Sequence, residues 1–174
     1  MYALIFRFFD ICLLRAGPQD LPASTFLLRA LVLLNLSLSA LLVYARSDFQ
    51  HAFWGTIIDF AVLVLMLQML LRLTGFVARF NQTLTAFMGI DIIIGLISLP
   101  FSYAFLAARQ AGEVALLSGV IWQLTGIWAV VVTASIIKHA TKLNLAYGVV
   151  FSMAYFILIW VLDRIIFYSP PVTA

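Results

Sequence analysis

Charge is what this 174-residue chain has least of. Asp, Glu, Lys and Arg make up 10% of it, against roughly 25% in soluble domains. Hydrophobic residues make up 65%, more apolar surface than a soluble fold of this size can cover, so burial in hydrocarbon is the simple alternative. A single cysteine, Cys12, excludes an internal disulfide and any Cys-based metal cluster. His51 and His139 have no Cys, Asp or second His at ligand spacing, so no metal is expected. There is no Gly-rich phosphate loop, nucleophile elbow or paired zinc-binding histidines, and no cluster of His, Asp, Glu or Ser of the intramembrane-enzyme kind. The chain therefore reads as a non-enzyme without a cofactor. Ten cations spread along it make no nucleic-acid patch.

Long apolar runs are abundant. A helix needs about 20 apolar residues to cross a ~30 Å hydrocarbon core. Five runs qualify: Phe26 to Ala45, Thr56 to Leu73, Leu84 to Leu106, Val114 to Ile137 and Leu145 to Phe167. Each must be helical, because lipid offers backbone groups no partners. Short turns join them, so the expected fold is all-α, a polytopic bundle of five antiparallel transmembrane helices. Residues 2–15 are too few to span. Arg7, Asp10 and Arg15 share one arc of a helical wheel there, opposite Leu4, Phe6, Phe8, Phe9, Leu13 and Leu14. That pattern predicts an amphipathic helix in the interface, not a signal peptide. Residues 17–22 break it, and Ser24 or Thr25 can cap the first span. The resulting division is 1–24 for the interfacial helix and its loop, 25–168 for the transmembrane domain and 169–174 for a tail.

Orientation follows the cations. Arg7, Arg15, Arg29, Arg72, Arg79, Lys138 and Lys142 fall on the N-terminal side, and only Arg46, Arg109 and Arg164 on the other. The bias predicts a cytoplasmic N-terminus and a periplasmic C-terminus. Tyr44, Trp54, Tyr103 and Tyr168 near span ends fit interfacial anchoring. The absence of an internal repeat and the odd number of spans count against an inverted-repeat transporter.

The polar residues within spans are the candidate site. Asp91 costs a few kcal/mol in hydrocarbon unless paired, hydrated or protonated, and Arg72 or Arg29 is its expected partner; an ion or proton site is the functional alternative. Asp59 is expected to pair with Arg164, for which Asp163 competes. Asn35, Gln68, Gln123 and Thr125 read as interhelical hydrogen-bonding groups, or else as the lining of a polar path. Gly119, Gly126, Ala129 and Thr133 fall near one stripe, and Gly148 with Ser152 forms a small-xxx-small pair, both suited to close helix packing. Pro100 removes the donor to the Leu96 carbonyl, so the third span should kink or end irregularly there.

The stretches DICLLRAGPQDLPAS (Asp10 to Ser24), QTLTAFMGIDIIIGLISLP (Gln82 to Pro100) and Tyr147 to Phe167, with five spans and little extramembrane mass, resemble the Yip1-like membrane proteins. The small uncharacterised members of proteobacterial inner membranes are the most similar. The resemblance implies an inner-membrane protein. Eukaryotic relatives meet small GTPases through a longer cytoplasmic N-terminus that is lacking here, so that partnership is not implied. Two functions remain open. One is a scaffold in the lipid bilayer, partnering another membrane protein, lipid or a second copy of itself. The other is a small transporter or channel using Asp91 and the intramembrane amides.

Overall fold

The computed structural model describes residues 2–44, 47–112 and 115–167. All regular structure in them is helical. Helix α1 (Tyr2–Cys12) is followed by α2 (Thr25–Tyr44), α3 (Phe49–Thr74), α4 (Phe80–Gln110), α5 (Leu116–Thr141) and α6 (Leu145–Phe167), with single 3₁₀ turns at Pro18–Asp20 and Val77–Arg79. Helices α2 to α6 are the five spans, each long and apolar enough to cross a membrane. The expected starts for α3 and α4 were too late: α3 begins seven residues before Thr56 and α4 four before Leu84. Arg46, Val114, Tyr168 and the 169–174 tail lie outside the described residues.

Local chemistry ends each helix. Ser24 Oγ accepts the Leu27 N–H at 3.3 Å and caps α2. Gly75, left-handed at φ 79°, closes α3, and the Phe76 N–H returns to the Leu71 carbonyl at 2.9 Å. Lys142 takes the same conformation after α5. Asn144 Oδ1 then accepts the Tyr147 N–H at 3.2 Å and starts α6. Helix α4 does not end at Pro100 but runs ten residues past it. Near the lost bond, Ser98 Oγ donates to the Gly95 carbonyl at 3.0 Å and Ser102 Oγ to that of Leu99 at 2.9 Å. Side-chain hydroxyls thus serve carbonyls around the interruption.

The helices form a ring in which α2 packs on α3 and α4, α4 on α5, and α5 on α6, while α6 meets α3 to complete the circuit. Packing inside it is lopsided. Leu63, Leu67 and Leu71 of α3, Leu84 to Ile90 of α4, Val132 to Ile137 and Ala140 of α5, and Phe151 of α6 are buried. All lie in the half that carries the α3–α4 and α5–α6 turns. In the opposite half burial is sparse among the described residues of the spans: Ala52, Thr56 and Ser102, with Asn35 at the middle of α2. In lipid such burial gains van der Waals contact rather than release of water.

Small residues set the closest approaches. A Cβ on Gly148 would overlap the Ala134 carbonyl, so α5 and α6 touch backbone to backbone, as the small-xxx-small pair implies. Gly126, by contrast, has nothing within 4 Å of that position. Gly89 makes room for the Phe8 ring. Through that seat α1 docks on the tight half of the bundle, burying Phe8, Ile11 and Cys12 against α4 and α5. Trp128 Nε1 donates to the Cys12 carbonyl at 3.1 Å, and Gln82 Nε2 to that of Leu21 at 3.0 Å. The expected amphipathic helix forms, then, but it is anchored to the spans. Phe6 and Phe9 remain exposed on its other side.

Candidate functional site

The loosely packed half encloses a cavity of about 670 Å³. Its walls are stripes of residues four apart, the spacing that keeps side chains on one helix face. Helix α2 supplies Asn35, Ser39 and Val43, and α3 supplies His51, Gly55 and Asp59 with Thr56 beside them. Phe87, Asp91 and Gly95, with Ser98, come from α4, Ala129 and Thr133 from α5, and Tyr155, Ile159 and Asp163 from α6. Eight residues separate His51 from Asp59 and Tyr155 from Asp163, so the stripes run about 12 Å along the helices at 1.5 Å per residue. Asp91, Asp59, Asn35 and Tyr155 occupy the inner part, next to Leu63 and Phe87 of the packed core. His51, Ser47 and Asp163 lie at the end where α3 begins and α6 finishes.

Polar contacts stitch α3 to α6 along this cavity. The Tyr155 hydroxyl donates to Asp59 Oδ1 at 2.5 Å. Nearer the helix ends, His51 Nε2 meets Asp163 Oδ1 at 2.6 Å, and the His51 ring stacks on Phe167 with centroids 4.1 Å apart and planes 9° apart. His51–Asp163 is the sole ion pair among the described residues.

Several groups in the cavity wall have no such partner. The Asp91 carboxyl is open to the cavity and makes no hydrogen bond or ion pair among the described residues. Asn35 is 6% exposed, and its amide likewise has no hydrogen-bond partner among them. Thr56, also 6% exposed, buries a hydroxyl oxygen that bonds to nothing. Buried polar groups are ordinarily satisfied, and each exception asks for a reason. Among the described residues the lining holds no Lys or Arg and carries Asp59, Asp91 and Asp163 against His51 alone.

The charge pairings expected for the site are not formed. Arg72 and Arg29 are exposed, and neither bridges to Asp91. Asp91 lies eleven residues along α4 from Phe80, about 16 Å from that helix end at 1.5 Å per residue, whereas both arginines stay near the ends of their helices, where long cations reach water. Asp59 pairs with Tyr155 rather than Arg164. Arg164 is exposed and covers the Trp160 ring at 5.7 Å, while Asp163 takes His51. Of the four predicted polar residues, only Asn35 reaches the cavity of Asp91. Gln68 lines a separate, smaller hollow with Leu71 and Asn81, and Gln123 is exposed outside both. Thr125 Oγ1 donates to the Trp122 carbonyl of its own helix at 2.7 Å. Tyr155, Thr56 and the His51–Asp163 pair were not singled out from sequence; the four-residue stripes that hold them were the available signal.

Comparison with protein-family models, with curated proteins and with solved structures finds no match to this chain.

Proposed function

We propose that this protein is a small membrane transporter that takes a polar solute into the cavity between α2, α3, α4 and α6. One observation carries the reading: Asp91 and Asn35 present unpartnered polar groups to a single cavity at the middle of the spans. Intramembrane ionisable residues are costly and mark substrate or ion paths. A scaffold would gain nothing from leaving these two unsatisfied, so the cavity favours the transport alternative over the interaction role. Gln68 and Gln123 are not part of the path. The excess of Lys and Arg on the α1 side supports a cytoplasmic N-terminus, with the cavity then opening toward the periplasm. The Yip1-like resemblance supports an inner-membrane location.

Proteoliposomes on a solid-supported membrane test the proposal. Concentration jumps of protons, alkali cations, amines and carboxylates should give a current for at least one solute, reduced tenfold or more in Asp91→Asn. Silence of the wild-type protein toward the whole panel, or currents unchanged in Asp91→Asn, overturns it. A reporter fused to the C-terminus reads orientation, and a cytoplasmic signal would reverse the direction of opening.

A further inference from the structure

The cavity's dimensions and donor chemistry narrow the solute. A bare divalent cation needs six to eight oxygens at about 2.3–2.6 Å. No cluster of three or more His, Cys, Asp or Glu that could hold a metal occurs among the described residues. The volume of about 670 Å³ falls instead within the roughly 300–1,000 Å³ of pockets that hold small organic molecules. Among its unpartnered groups are the Asp91 carboxyl and the amide oxygen of Asn35, both hydrogen-bond acceptors. Asp59 adds a second carboxyl, already holding the Tyr155 hydroxyl. The remaining wall is apolar and partly aromatic, with Leu63, Phe87 and Phe156.

We infer that this cavity is a binding site for a small organic cation bearing a primary ammonium group. An ammonium has three N–H donors and no acceptor. It matches these acceptors, and it supplies Asp91 with the counter-charge that Arg72 and Arg29 do not. Its hydrocarbon part lies against Leu63 and Phe87, and aromatic faces attract the charged head. The inference rests on the transport reading for its biological sense, but binding is measured separately.

The test uses the detergent-solubilised full chain and n-butylammonium chloride, with potassium chloride, sodium butyrate and n-butanol as comparators. A ligand that binds the folded state raises thermal stability saturably. Butylammonium should do so, and the comparators should not. Asp91→Asn should weaken the apparent affinity at least tenfold. No response to butylammonium, an equal response to any comparator, or an undiminished response in Asp91→Asn overturns the assignment. A current for some other solute in proteoliposomes would then leave the transport reading standing, whereas silence there together with saturable amine binding would refute transport alone.

Discussion

Tyr155 and Asp59 face each other across the α3–α6 seam, the phenol donating to the carboxyl at 2.5 Å. The contact lies about 12 Å along both helices from the His51–Asp163 pair, at 1.5 Å per residue. Together these two contacts hold a junction that small residues do not close.

Tyr155→Phe keeps the ring and removes the donor. A carboxyl left without its partner should cost about 1–3 kcal/mol of stability, read as a lower unfolding temperature in detergent. Asp59→Asn retains an acceptor oxygen for the phenol and should cost less. Equal stability of Tyr155→Phe and wild type would mean that the bond does not hold the seam.

Two glycines, one on α5 and one on α6, should behave oppositely. Gly148→Ala forces a methyl into the Ala134 carbonyl, and overpacking of this kind costs about 1–3 kcal/mol. Gly126→Ala meets open space and should leave stability unchanged or slightly raised through better helix propensity. Thermal unfolding of the two variants side by side checks the α5–α6 approach.

Cys12 reports on the docking of α1. Burial pushes its thiol up to about 11, with the nearby Asp91 charge adding to the effect. Because the thiolate is the nucleophile, maleimide labelling of the folded protein at pH 8 should be slow, should accelerate as the pH approaches 11 and should become rapid at pH 8 on unfolding. Gly89→Ala displaces the Phe8 ring and should speed labelling at pH 8 without unfolding the spans. Fast labelling of the wild-type protein would show α1 to be undocked.

Hydropathy alone located all five spans, and α6 is bounded by the same residues, Leu145 and Phe167, in sequence and structure. The reason is physical: in lipid an apolar run of that length has no alternative to the helix. The partners of Asp59 and Asp91 were less legible. Opposite charge suggested arginines, but an arginine near a helix end gains more by reaching water than by turning inward. Tyr155 stands at the level of Asp59 and needs no such journey. Of the two outcomes expected at Pro100, a kink or an irregular end, the end does not occur, because one missing donor does not stop a helix whose other backbone bonds continue. The seat of α1 on Gly89 depends on a contact spanning 81 positions, which no local pattern encodes. The cavity stood in plain view as polar residues at four-residue intervals, but each helix's stripe is short and interrupted by apolar residues such as Val43 and Ile159.

That seat also orders events during biosynthesis. Helix α1 is made before any of the five spans, but Trp128, which holds the Cys12 carbonyl, follows 116 residues later. At roughly 5–20 residues per second, the delay is about 6–23 s. Through that interval the N-terminal segment has neither α4 nor α5 to rest on, and its exposed phenylalanines offer it the bilayer surface as a waiting place. The tightly packed half of the bundle is thus completed by residues made before any of the spans, among the last to settle.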